Sequence, residues 1–182
     1  MTKRDIVEHL ERELGPIQGG FTGDGLPVAY FPDQPHPGVT TSVTLGLSRT
    51  PLPMPDGRLV RLELLFSAYD SFSAIEISGF LCSFADYIVS QNRALVRGDV
   101  VGPSDPLFKG VTATAVYATH PVHFSETLWV LEDTSPPTVI VWVMPLPGVE
   151  AAFIKTRGWD EYESLLELAD PDLWDPNRKP IF

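Results

Sequence analysis

Between residues 138 and 144 the chain reads Thr138-Val139-Ile140-Val141-Trp142-Val143-Met144, with Pro136-Pro137 before it and Pro145 after it. The run is too short to span a membrane, and the prolines at both ends keep it from being the interior of a longer helix. Its lack of polar alternation means that both faces meet apolar surroundings, as in a strand at the middle of a covered sheet. The rest of the chain must then supply neighbours for this strand and layers for its two faces.

The neighbours are legible. From Val39 to Leu47, Val39, Thr41, Val43, Leu45 and Leu47 alternate with Thr40, Ser42, Thr44 and Gly46, which predicts a strand with one wet face. The punctuated segment from Thr50 to Gly57 joins it to Arg58–Ser67, where Val60, Leu62, Leu64 and Phe66 alternate with Leu59, Arg61, Glu63 and Leu65, and the two runs read as an antiparallel hairpin. A short strand is expected over Leu26–Phe31 and a long one over Val111–Thr119.

The covering layers are helical. Ile6, Val7, Leu10 and Leu14 share one face of a first helix beginning near Asp5 and stopped by Gly15. Ile77, Phe80, Leu81, Phe84, Ile88 and Leu95 mark a long helix opened by the capping box Ser73-x-x-Glu76. Two further helices are expected over Val149–Thr156 and Trp159–Ala169, followed by a proline-broken tail. Helix, strands, long helix, strands and terminal helices predict an α+β fold with a largely antiparallel or mixed sheet and helices on its faces, one domain over residues 1–182.

The function classes narrow next. The single cysteine, Cys82, rules out an internal disulfide and fits a reducing compartment. No apolar leader follows Met1 and no long apolar run occurs later, so a cytoplasmic chain without a membrane span is expected. With 24 acidic against 13 basic residues the formal charge is −11, which repels a phosphate backbone and argues against a nucleic-acid ligand. The same field would speed encounter with a basic protein.

No catalytic constellation stands out. Asp70, Ser73 and His36 have the residue types of a serine triad but lack a G-x-S-x-G elbow, and Ser73 is better explained as a cap. Gly19, Gly20, Gly23 and Gly25 precede a strand rather than a helix, with no Lys-Ser/Thr to hold phosphate. His120, His123 and Glu126 are the one group that could serve a metal-assisted hydrolase, yet Pro121 denies the pair a helical ligand face. No cofactor or metal is implied. By contrast, Asp160, Glu161, Glu163, Glu167, Asp170, Asp172 and Asp175 occur with no Lys or Arg between them, beside Trp159, Tyr162 and Trp174. Trp159, Asp160, Glu163, Glu167, Asp172 and Trp174 are therefore candidates for a partner-binding surface. The competing reading is a solvated helix face with its aromatics in the core.

The segment Ala118-Thr119-His120-Pro121-Val122-His123-Phe124-Ser125-Glu126, the strand through Trp142 to Pro145, the helix pair with Gly158-Trp159 and the finish Asp175-Pro176-Asn177-Arg178 together resemble the suppressor-of-fused domain family, from about Gly25 onward. The resemblance implies a non-enzymatic binding domain. In animals such a domain grips a short peptide beside a β-strand while a second domain closes over it, a mode that resembles β-augmentation. Single-domain bacterial relatives resemble immunity proteins that hold a toxin inactive, and an acidic inhibitor would suit a basic toxin domain. No peptide-gripping residue maps onto a position of this sequence.

Overall fold

The computed structural model describes residues 5–23 and 25–182; the charged opening Met1–Arg4 lies outside them. Helix α1 (Ile6–Leu14) starts at Asp5, whose carboxylate accepts the Glu8 N–H at 2.8 Å. Strands β1 (Gly19–Phe21), β2 (Val28–Pro32), β3 (Val39–Thr44), β4 (Leu52–Pro53) and β5 (Leu59–Tyr69) follow. Next come α2 (Ala74–Gln91), β6 (Val100–Val101), β7 (Ala115–Thr119), α3 (Glu126–Trp129), β8 (Val130–Leu131), β9 (Thr138–Leu146), α4 (Gly148–Arg157) and α5 (Trp159–Ala169). No helix among the described residues is long and apolar enough to cross a membrane.

One mixed sheet carries the fold, in the order β1-β2-β3-β5-β9-β7-β6, with β4 on β5 and β8 on β9. The apolar run is β9. It pairs parallel to β5, from Arg61 opposite Thr138 to Leu65 opposite Trp142, and antiparallel to β7. Side chains alternate across a strand, so Val141 and Val143 enter one core with α2 while Ile140, Trp142 and Met144 enter a second core with α1, α4 and α5. Both faces are covered, as the missing alternation requires.

The predicted hairpin is present, with β3 and β5 antiparallel from Val39 opposite Tyr69 to Val43 opposite Leu65. Four expectations need correction. The second face of β3 is not wet: Ser42 and Thr44 are buried, because Ser42 lies opposite Phe66 under α2 and Thr44 is held by Glu63. The strand also stops at Thr44, since Glu63 Oε1 accepts the Gly46 N–H at 2.8 Å and the Ser48 N–H at 3.1 Å in place of a ladder partner. Helix α2 ends at Gln91, where Asn92 takes the left-handed conformation, and Leu95 reaches the core from the segment beyond. Only Ala115–Thr119 of the expected Val111–Thr119 strand is regular strand, although Val111 and Ala113 are buried.

Candidate functional site

Helix α5 begins at once after Gly158, whose φ of 101° ends α4. Its inward residue is Tyr162, fully buried, whose hydroxyl donates to Glu150 Oε2 at 2.7 Å. Its outward face holds Asp160, Glu167 and Leu168, the last 84% exposed. Trp159 stands at the rim, 39% exposed. Its indole lies so close to Gly98 that a Cβ there would sit 2.5 Å from Trp159 Cδ1, and the Arg97 guanidinium lies 4.8 Å from the ring centroid, within cation–π range.

Glu163 differs from its acidic neighbours. It is paired with Arg97 and accepts the Tyr117 hydroxyl at 2.6 Å. Burial pushes its carboxyl upward, but Arg97 and Tyr117 outweigh that and hold it below the usual range. Burial, with the same contact, pushes the Tyr117 hydroxyl well up. Trp159, Asp160, Glu163 and Glu167 thus share one helix, with Glu163 serving as the strut beneath the surface.

Asp172 and Trp174, beyond the end of α5, have other partners. Asp172 accepts the Tyr69 hydroxyl at 2.9 Å, and the Tyr69 N–H donates to the Trp174 carbonyl at 3.1 Å. The Trp174 ring stacks on Trp142 with centroids 5.8 Å apart and meets His123 at 4.8 Å and His36 at 5.4 Å, both edge-on. The tail then inserts Arg178 between α4 and α5, where it forms a buried fork with Glu150. Arg97, Tyr117 and Glu150 carried no periodic or motif signal of these roles. Arg178 was visible only as the last residue of Asp175-Pro176-Asn177-Arg178.

His120 and His123 face different surroundings. His120 stacks on Trp129 with centroids 4.9 Å apart and planes 3° from parallel, while His123 meets Trp142 and Trp174. Burial lowers the pKa of both imidazoles. Glu126 lies in the first turn of α3. No group of three or more His, Cys, Asp or Glu among the described residues is arranged to hold a metal, so the three do not converge as the hydrolase reading requires. Cys82 is half-buried, its Sγ 3.3 Å from the Leu26 carbonyl, and burial pushes its thiol up, away from the reactive thiolate.

On the other side of the sheet, α2 and the segment from Gly102 to Phe108 enclose an open groove of about 860 Å³. Its wall is aromatic: Phe80 stacks on Phe84 at 5.5 Å, Phe84 on Tyr87 at 6.0 Å, and Phe108 approaches Phe80 at 6.0 Å. Sequence periodicity assigned Phe80 and Phe84 to the core face of α2; the groove exists because the loop leaves part of that face open.

Residues 22–179 match the family described as Suppressor of fused protein (SUFU). Among solved structures, the fold is similar to a SUFU homologue from Neisseria gonorrhoeae, at 17% identity and a TM-score of 0.75, covering 96% of this chain and 93% of that one. It is also similar to a chain of the Sufu–Fu complex, at 14% identity and a TM-score of 0.66, covering 92% and 83%. Drosophila Suppressor of Fused matches at 14% identity and a TM-score of 0.69, covering 96% of this chain and 50% of that one, so this chain spans half its length. No curated protein matches the sequence.

Proposed function

The chain belongs to the suppressor of fused family, and from that premise we propose that it works as a non-catalytic, single-domain protein-binding module that sequesters a basic partner. The observation that carries this reading is the outward face of α5, which exposes Asp160 and Glu167 on the helix that the pinned indole of Trp159 opens. An aromatic anchor with carboxylates on the same helix suits a cationic protein surface. The net charge of −11 raises the encounter rate with such a surface. A chain of the Sufu–Fu complex shares the fold, which supports a protein rather than a small molecule as the ligand.

The specific form of this reading is an immunity protein that neutralises a basic toxin domain. Expressing the product of the neighbouring gene with and without this chain tests it. Restored growth together with a stoichiometric complex on gel filtration is expected; no protection and no complex would remove the immunity form.

A further inference from the structure

We propose that the groove between α2 and the Gly102–Phe108 segment is a second docking surface, which takes a basic segment of a partner protein carrying bulky apolar side chains. This rests on the protein-binding reading above but places a contact on the opposite face of the sheet from α5.

The groove floor is a row along α2 at spacing four: Ile75, Gly79, Ser83 and Tyr87. Residues at this spacing lie one above another on a helix, and the row extends about 18 Å. Its two ends stand out, with Ile75 66% and Tyr87 43% exposed. Between them Gly79 and Ser83 form a dip, and a Cβ built on Gly79 would meet no atom within 4 Å. A bulky apolar side chain from outside fills such a dip and removes Ile75 and Tyr87 from water at the same time.

The opposite wall is held in place before any partner arrives. The Leu107 N–H donates to the Ala113 carbonyl at 3.0 Å and the Ser104 N–H to the Thr114 carbonyl at 2.8 Å. A preformed wall lowers the ordering cost of binding. Among the described residues, the charged side chains lining the groove are Glu76 and Asp105, both acidic, and the exposed face of Tyr87 accepts cations. Charge therefore selects the occupant. A second copy of this chain would set these acids against an equally acidic surface, whereas a segment with Lys or Arg beside its apolar anchors meets both requirements.

The test uses the full chain and a fluorescein-labelled amphipathic peptide of Leu and Lys, with a Leu/Glu peptide as control, read by fluorescence anisotropy. Gly79→Trp fills the dip at a site with open space, and an unchanged melting temperature confirms that it folds. Binding of the Leu/Lys peptide only, weakened about ten-fold or more by Gly79→Trp, is expected; equal binding by the variant would overturn the proposal. Asp105→Lys is a second probe, expected to weaken the Leu/Lys peptide and leave the melting temperature unchanged. The same variants used as bait for the native partner keep the two readings distinct. A partner retained by Gly79→Trp but lost from Asp160→Lys/Glu167→Lys contradicts the groove and leaves the binding function standing. A partner absent from every bait contradicts the binding function, while the peptide result still decides the groove.

Discussion

Arg178 closes on Glu150 through two hydrogen bonds, Nη1 to Oε1 at 2.7 Å and Nη2 to Oε2 at 2.6 Å, with both side chains almost wholly out of solvent. The remaining capacity of Glu150 is taken by the Tyr162 hydroxyl and by the Ile181 N–H at 3.0 Å. The pair fastens the tail to α4 and α5 and so fixes the underside of the α5 surface. Removing one partner leaves an uncompensated buried charge. Arg178→Leu is expected to cost about 3–5 kcal/mol in denaturant unfolding, and Arg178→Lys is not expected to restore it, because an ammonium offers no planar fork. A loss below about 1 kcal/mol would show that the pair is not an anchor.

Glu63 is a buried carboxylate held by neutral donors. Its oxygens accept the Thr44 hydroxyl at 2.6 Å, the Ser48 hydroxyl at 2.6 Å and the N–H groups of Gly46 and Ser48. Burial pushes its pKa up, partly opposed by those donors. Glu63→Leu leaves several buried donors unpaired and is expected to cost about 3 kcal/mol or more. Glu63→Gln keeps an accepting oxygen and should cost less than half as much in the same assay.

Stability depends on pH in opposite senses at two kinds of titratable group. His120 and His123 have depressed pKa values in the folded state, so the unfolded chain binds more protons just below the ordinary imidazole value of about 6.5. Stability is therefore lost as pH falls from about 6.5 through their folded values. His120→Asn and His123→Asn should each flatten the melting-temperature profile below about pH 6.5. Glu63, raised by burial, binds its proton more tightly when folded, and its contribution returns as pH falls from its raised value toward about 4.3. Glu63→Gln should therefore steepen the acid loss, and the reverse result would contradict both assignments.

Gly98 has a φ of 95° and lies against the Trp159 indole. Gly98→Ala meets strain and collision together, with an expected cost of about 1–3 kcal/mol. Displacing the ring into water should also shift tryptophan emission to the red; unchanged emission would mean that Trp159 is not held there.

Much of the fold was legible because its signals are local. The apolar run of β9, the alternation in β3 and β5, the Ser73 cap and the Gly158 break each depend on residues a few positions apart. The parts that were missed depend on distant partners. Glu63 read as an outward position on an alternating strand, yet residues 44–48 fold over it. The acidic segment read as one surface, but pairing with Arg97 and Tyr117 draws Glu163 under it, and the tail carries Asp172 and Trp174 to Tyr69, Trp142 and His123. The groove could not be read from α2 alone, because its open side is set by where the 102–108 segment runs.

Glu163 is consequently a poor probe of partner binding, since Glu163→Lys would disturb the strut as well as the surface. Asp160→Lys and Glu167→Lys are cleaner, being exposed positions where a stability change within about 0.5 kcal/mol is expected. The most direct measurement is an affinity pull-down from the native organism, with this chain and its Asp160→Lys/Glu167→Lys variant as baits, eluted across a salt series and read by mass spectrometry. A stoichiometric basic protein, released by salt and reduced on the variant, is the expected result. No stoichiometric partner on either bait, or a partner indifferent to both salt and the charge reversal, would contradict the sequestering of a basic protein.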